Sequence, residues 1–424
     1  MNMVCHPSNL RGNVAAIPSK SDAHRKLICA ALSENGGILP LFEPFCDDIA
    51  ATVRCLKALG AGFSHTENGL KISPIIEKKH ADLDCGESGS TLRFLLPVAM
   101  CVCHDISVRG SGRLPERPIS ALTDLMSVHG VQFSGSKIPL NASGSMTGGV
   151  CEIAGNISSQ FLSGLLMALP LCETDSEIRL TTQLQSAAYV DMTLDTLRLF
   201  GAEIVKTTEN GFLRFFVKGM QKLRFPKYAE IDGDWSNAAF WLTAGAIQPN
   251  IDLTVTGLHA SSVQGDKAIA DILRNSGAKI TMADGTWNVS CGKVDDFNVS
   301  MEEIPDLLPI LAVRAAVGSG VCLFTHAERL RLKESDRLTA TAEMLRALGG
   351  KVDEHPNGLT VYGGQLQGGT VDAQNDHRLV MAAAIAALKC REPVTIIGAE
   401  AVNKSYPAFF DDYRSLGGIA FEIP

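Results

Sequence analysis

The chain has few of the features that mark several broad classes of protein. It has no net positive charge: across 424 residues, 46 acidic side chains outnumber 38 basic ones for a formal charge of -8. That balance excludes a broad nucleic-acid footprint, which needs a basic face to displace counterions. Any anion site must be a local cluster of cations. Apolar runs are short; LVMAAAIAAL at 379–388 is among the longest and falls below the ~18 residues of a membrane span. The opening MNMVCHPSNLRGNV lacks an apolar core of the kind a secretory signal carries. A cytoplasmic chain with no membrane contact is expected. Twelve cysteines are scattered without C-x-x-C pairs or nearby histidine ligands, Cys29, Cys55, Cys172, Cys322 and Cys390 lying inside apolar runs. Reduced core thiols are expected rather than a metal site or a disulfide framework.

What is present is a period. Helix-like segments ending in glycine recur as LKALGAGF at Gly60, MSVHGVQF at Gly130, LRLFGAEI at Gly201, LRNSGAKI at Gly277, LRALGGKV at Gly349 and YRSLGGIA at Gly417, at intervals of 70, 71, 76, 72 and 68 residues. Glycine suits the left-handed residue that closes a helix. Four of these are followed by a hairpin dipeptide: Asn68-Gly69, Asn210-Gly211, Asp284-Gly285 and Asn357-Gly358. Upstream in each unit lies an alternating strand, as in ISVRG, EIRLTT and DLTVTG, with ILPLF (38–42) filling that place in the first unit. Before each strand comes another helix with a polar start, near Ser21, Ser90, Ser159, Trp235, Asp306 and Asp376. The unit is strand, helix, strand, helix, hairpin, repeated six times, an α/β architecture with mixed sheets. Three units per domain divide the chain near Pro226. With 46% hydrophobic residues the chain has material for more than one core.

Polar side chains gather at the helix starts, where free N–H groups and the helix dipole favour anions. IPSKSDAHR offers Lys20, Ser21 and Arg25; CGESGSTLR offers Gly86, Gly89, Ser90 and Arg93. GSGRLPERPI holds Arg113, Glu116 and Arg117, and ISSQF presents Ser158, Ser159 and Gln160 as neutral donors. In the later half, KESDR carries Lys333, Glu334, Asp336 and Arg337, QNDHR carries Asp376, His377 and Arg378, and VNKSYP carries Lys404. Arginine for bidentate contacts, lysine as a point charge and open backbone N–H groups together suit a ligand with phosphate and carboxylate groups. Asp306, Glu334 and Lys404 are then available for proton transfer, because carboxylates beside cations have pKa values pushed apart. The residues alone lead to an anion-binding transferase or lyase.

In order along nearly the whole chain, PSKSDAHR, GESGSTLR, RLPERP, SSQF, KESDR, NDHR and NKSYP resemble the EPSP synthase family. The resemblance implies a two-domain enolpyruvyl transferase-like fold of six βαβαββ repeats, three per domain. One domain spans 19–228; the other is discontinuous, 1–18 with 229–424, and an active-site cleft lies between them. It implies transfer of the enolpyruvyl group of phosphoenolpyruvate to the 5-hydroxyl of shikimate 3-phosphate, through a tetrahedral intermediate, in the shikimate pathway to chorismate and aromatic amino acids. No metal or organic cofactor is implied, the partners are small molecules, and a monomer is expected.

Carried over by position, Lys20, Ser21, Arg25, Ser158, Ser159, Gln160, Ser186, Asp306 and Lys333 contact shikimate 3-phosphate. Lys20, Gly89, Arg113, Gln160, Arg337, Arg378 and Lys404 contact phosphoenolpyruvate. Asp306 accepts the hydroxyl proton, and Glu334 with Lys20 and Lys404 handles protonation of the methylene carbon. Two positions depart from the family's habit: Glu87 stands where Asn is common in the glycine turn, and Arg329 where some members have Asn. A related transferase acting on a UDP-amino sugar, and a silent homologue that only binds phosphorylated ligands, remain alternatives. The first usually carries a reactive cysteine loop, and no cysteine lies between Leu114 and Pro118.

Overall fold

The computed structural model of the protein describes residues 1–249, 252–292 and 296–424. The chain forms two compact units, one of Lys20–Ile231 and one of Met1–Ser19 with Asp232–Pro424. The sequence placed these divisions after residues 18 and 228.

In Lys20–Ile231 the helices are α1 (Lys20–Leu32), α2 (Asp47–Ala58), α3 (Gly89–Val102), α4 (Ser120–Val128), α5 (Ser159–Ala168) and α6 (Ala187–Leu199). In the other unit they are α7 (Trp235–Ile247), α8 (Ala268–Asn275), α9 (Leu308–Ala316), α10 (Arg337–Ala347), α11 (His377–Ala387) and α12 (Phe409–Ser415). The helices expected to open near Ser21, Ser90, Ser159, Trp235, Asp306 and Asp376 are α1, α3, α5, α7, α9 and α11, each beginning within two residues of its expected start. All six closing glycines, Gly60, Gly130, Gly201, Gly277, Gly349 and Gly417, have positive φ, between 79° and 107°. A side chain is strained in that conformation, which is why glycine recurs at one interval.

The sheets repeat a single pattern. Val150–Ile153 runs parallel to Ser176–Leu180, which pairs antiparallel with Phe212–Val217, itself hairpinned to Ile204–Glu209. The hairpin turns at Asn210-Gly211, both at positive φ, the geometry whose twist matches the strands. The same order recurs in the sheet of Lys78–Asp84, Cys103–Arg109, Leu140–Gly144 and Val131–Phe133, and in that of Asn298–Ser300, Val321–Thr325, Gly358–Tyr362 and Lys351–His355. The chain ends modify it. Ile419–Ile423 pairs with the amino-terminal Asn2–His6, which pairs with Val394–Ile397 on its other edge. Gly12–Ala15 is the parallel partner of Asp252–Thr256. The first sheet, led by Gly37–Leu39, therefore has three strands.

Each unit has its own apolar core. Helices α3, α5, α7, α9 and α11 are buried nearly all round, as apolar helices inside a ring of sheets must be. Their polar N-termini are the ends that carry the candidate side chains singled out in the sequence. All twelve cysteines are free, and all but Cys101 and Cys291 are buried. No helix among the described residues is long and apolar enough to cross a membrane.

Burial of helix ends creates one strict requirement: their last carbonyls need donors. Arg314 on α9, 0% exposed, meets it for two helices at once, donating to Ala246 O in the last turn of α7 (2.9 Å) and to Ser276 O at the C-cap of α8 (2.7 Å). Arg314→Met keeps the volume and strands both acceptors. A loss of about 3 kcal/mol is expected, seen as a fall in melting temperature of roughly 5–10 °C; an unchanged melting curve would remove this role from Arg314.

Candidate active site

Most of the side chains singled out in the sequence gather into one cluster in each unit. In Lys20–Ile231 the cluster is built on the starts of α1, α3 and α5. Lys20, first residue of α1, places Nζ 2.7 Å from Asp48 Oδ2 in the first turn of α2. Both side chains are largely sheltered, at 16% and 13% exposure, so the pair is stronger than a surface ion pair. Ser158 caps α5 by accepting from Gln160 N, and Ser159 follows it, buried. The Gln160 side chain bridges two elements: its Oε1 accepts from Arg93 Nη1 (2.7 Å) and its Nε2 donates to Ser90 Oγ (2.9 Å). Ser186, buried ahead of α6, holds a left-handed backbone at φ 56°, a strained position for a serine.

Arg25 occupies the interior. Its guanidinium donates to Thr193 Oγ1 (2.7 Å), Ser21 O (2.6 Å) and Tyr189 O (2.8 Å), and lies 4.9 Å over the Phe94 ring. Burial lowers its pKa to about 10. Arg25 thus joins α1 to α6 and holds Ser21 through its carbonyl.

At the start of α3 the structure corrects one expectation. Arg113 is 41% exposed and its partner is Glu116, at 3.6 Å. Arg117 instead brings its guanidinium against Gly89: a Cβ there would meet Arg117 Nη1 at 2.7 Å and Arg93 Nη1 at 2.9 Å. The cause is local. Arg113 and Arg117 stand at opposite ends of one 3-10 turn, Leu114–Glu116, with Arg117 in extended backbone at its exit. Sequence spacing offers either arginine; the turn selects Arg117. Glu87 turns to the neighbouring loop, against Gly112, whose φ of 56° keeps the position open.

In the other unit the cluster centres on Asp306. Its Oδ1 is 2.7 Å from Arg337 Nη1 and 3.2 Å from Lys333 Nζ, and its Oδ2 is 3.3 Å from Arg378 Nη2. Burial opposes ionisation, but Arg378, Lys333 and Arg337 outweigh it and hold the carboxyl well below the usual range, with Glu334 pushing the other way. Arg337, 1% exposed, also binds Glu334 Oε2 (2.6 Å) and Asp376 Oδ2 (2.8 Å). Asp376 caps α11 and accepts from Ser335 Oγ at 2.9 Å. Lys404 donates to Asn375 O at 2.6 Å, beside the same helix start. Arg329 donates to Glu302 O at 2.8 Å.

Four cations here, Lys333, Arg337, Arg378 and Lys404, face the carboxylates of Asp306, Glu334 and Asp376. No cluster of His, Cys, Asp or Glu among the described residues could hold a metal ion.

Sequence reasoning missed Asp48 in the first cluster, and named Arg93, Arg117 and Asp376 without giving any of them a contact. Arg93, Arg117 and Asp376 lay inside motifs already singled out; for Asp48, 28 residues from its lysine, spacing carried no signal. It also missed Asp266, 1% exposed and hydrogen-bonded by Ser236 Oγ. Burial, with Asp306 adding to it, raises the Asp266 pKa to about 6.

Comparison with known proteins follows the same lines. The family model described as EPSP synthase (3-phosphoshikimate 1-carboxyvinyltransferase) matches residues 4–413. A 3-phosphoshikimate 1-carboxyvinyltransferase of Clostridium acetobutylicum is 41% identical, covering 100% of this chain and 99% of its own. That of Clostridium kluyveri is 40% identical over 97% of this chain and 96% of its own. Among solved structures, an EPSP synthase from Acinetobacter baumannii superposes with a TM-score of 0.79 at 22% identity, covering 99% of this chain and 100% of that one. The enolpyruvyl transferase NikO from Streptomyces tendae gives 0.78 at 16% identity, over 99% and 98%.

Asp266 makes the site's charge visible in stability. Its folded pKa, about 6, lies above the ordinary 3.8, so between those values the native state binds more protons than the unfolded one. Stability therefore falls as pH rises through that window, by about 3 kcal/mol in total. Asp266→Asn removes the titration. Denaturant unfolding should show the variant gaining on wild type between pH 4 and pH 7; a stability difference equal at both pH values would mean that Asp266 titrates as an ordinary carboxyl.

Proposed function

The chain belongs to the EPSP synthase family, the 3-phosphoshikimate 1-carboxyvinyltransferases, and from that premise we propose how its two clusters divide the work. The reaction joins the enolpyruvyl group of phosphoenolpyruvate to the 5-hydroxyl of shikimate 3-phosphate and releases phosphate. Ser21, Ser158, Ser159, Gln160, Ser186 and Lys333 hold shikimate 3-phosphate, with Arg25 fixing the helix that presents Ser21. Lys20, Gln160, Arg337, Arg378 and Lys404 hold phosphoenolpyruvate, together with Arg117 over Gly89.

The observation that carries this reading is Asp306 held by three cations. In the free protein those cations make it a weak base. Substrate phosphate and carboxylate groups compete for Lys333, Arg337 and Arg378, so binding releases part of their hold on Asp306 and raises its proton affinity when a hydroxyl arrives. Asp306 takes the 5-hydroxyl proton as the oxygen bonds to C2 of phosphoenolpyruvate. A proton from the group of Glu334, Lys20 and Lys404 goes to C3, giving a tetrahedral adduct. Loss of phosphate and return of a C3 proton restore the double bond. The cations stabilise the charge on the departing phosphate.

The relatives near 40% identity favour shikimate 3-phosphate as acceptor over a UDP-amino sugar; the likeness to NikO concerns the fold alone. Acidic net charge, short apolar runs and two small anionic substrates support a cytoplasmic enzyme, and the supply of every proposed contact by one chain supports a monomer.

Phosphate release by the purified chain tests the proposal. Release should require both phosphoenolpyruvate and shikimate 3-phosphate, and Asp306→Ala should lower it about 10²–10⁴-fold. Release driven by UDP-N-acetylglucosamine would make the chain the amino-sugar enzyme. Tight binding of shikimate 3-phosphate without release would make it a silent homologue.

A further inference from the structure

A line of four buried polar side chains joins the Lys20 helix to the glycine turn. His24 on α1, Thr52 on α2 and Thr91 on α3 are each 0% exposed, and Ser88, the N-cap of α3, is 1% exposed. His24 Nδ1 lies 2.7 Å from Thr52 Oγ1, Thr52 Oγ1 lies 2.6 Å from Thr91 Oγ1, and Thr91 Oγ1 lies 2.8 Å from Ser88 Oγ. The Thr91 hydroxyl also reaches the backbone carbonyl of Asp48 at 3.3 Å. Asp48 is the residue whose carboxylate holds Lys20, and Ser88 directly precedes Gly89.

The hydrogens in this line can run only one economical way. The far ring nitrogen, His24 Nε2, is buried without a partner. A buried N–H left without an acceptor is a greater penalty than a buried lone pair, so the proton belongs on Nδ1. Nδ1–H then donates to Thr52, Thr52 donates to Thr91, and the Thr91 proton lies between Ser88 Oγ and the Asp48 carbonyl. Burial, with Lys20 and Arg25 close by, keeps the imidazole neutral by holding its pKa well below the ordinary value. Phe94 closes the site edge-on, its ring 6.2 Å from that of His24.

We propose that His24, Thr52 and Thr91 are positioning residues that lock the second turns of α1 and α2 to the N-cap of α3, and so hold Lys20 and Gly89 in one fixed geometry. Position is what these groups need: Lys20 carries a flexible four-carbon chain, and Gly89 acts through backbone that Arg117 and Arg93 approach. The device is selective. Arg25 is anchored separately by Thr193, Ser163 and Tyr189, so the Ser21 side of α1 does not depend on the line. In terms of the function proposed above, the phosphoenolpyruvate contacts Lys20 and Gly89 depend on it, whereas the Ser21 contact with shikimate 3-phosphate has its own anchor.

The test pairs Thr52→Val, which keeps the shape and removes the hydroxyl, with Thr52→Ser, which keeps the hydroxyl. Thr52→Val should raise the KM for phosphoenolpyruvate about tenfold, leave the KM for shikimate 3-phosphate within about twofold, and be rescued by Thr52→Ser. Equal effects on both substrates, or a serine variant as impaired as the valine, would overturn the proposal. If Thr52→Val fails to fold, wild type decides: nitrogen NMR of the histidine-labelled chain at pH 7, with His24 assigned through its own backbone, should show the neutral Nδ1–H tautomer. An Nε2–H or doubly protonated ring would overturn the line of donors. That measurement does not depend on the reaction, so a chain that releases no phosphate yet shows the Nδ1–H ring would sink the functional reading and leave the network standing.

Discussion

A buried guanidinium must find acceptors where it stands, and Arg337, whose acceptors are carboxylates, is the clearest instance in this protein. At 1% exposure it is held by Asp306, Glu334 and Asp376 together. A charge withdrawn from water this completely persists only when its partners are close and well oriented. The three carboxylates come from three separate stretches of chain, the 3-10 turn before α9, the loop before α10 and the N-cap of α11. Satisfying one arginine therefore fixes the starts of three helices against one another. The positions of Asp306 and Glu334 follow from that constraint, and Arg337 joins Arg378 and Lys333 in depressing the Asp306 pKa.

The Lys20–Ile231 unit solves the same problem with less charge. Its buried arginine, Arg25, is met by a backbone carbonyl on each side and by hydroxyls, and its lysine by one carboxylate. Hydroxyl lines and amide bridges, such as Gln160 between Arg93 and Ser90, replace ion pairs as the means of fixing helix starts. Such neutral networks hold geometry without adding charge to the cluster. The two units thus share an architecture and differ in electrostatics: one interleaves carboxylates with cations, the other relies mainly on neutral donors and acceptors.

Much of the architecture was legible in the chain because backbone conformation is locally encoded. A residue that must sit at positive φ at the end of each second helix is glycine at Gly60, Gly130, Gly201, Gly277, Gly349 and Gly417 alike, and a type of turn that needs two such residues takes Asn210-Gly211 or Asp284-Gly285. Helix starts were legible too, since capping residues and polar first turns mark them. Arg113 shows the limit: two arginines four residues apart in RLPERP are equivalent on paper, and a single 3-10 turn sends one to solvent and the other to Gly89. Asp266 and His24 were invisible because burial, which gives each its properties, is a sum over residues distant in sequence.

By itself the sequence determined the period, the six helix starts, the anionic character of the ligand and the family, because each of these rests on residue types at short or regular spacings. The tertiary structure alone decided which charges meet: that Lys20 finds Asp48, that Arg117 rather than Arg113 reaches Gly89, and that Asp306 shares Arg337 with Asp376. The reason is physical. Local conformation follows from steric and hydrogen-bonding limits within a few residues, whereas the energy of a buried charge depends on every group brought around it when the chain folds.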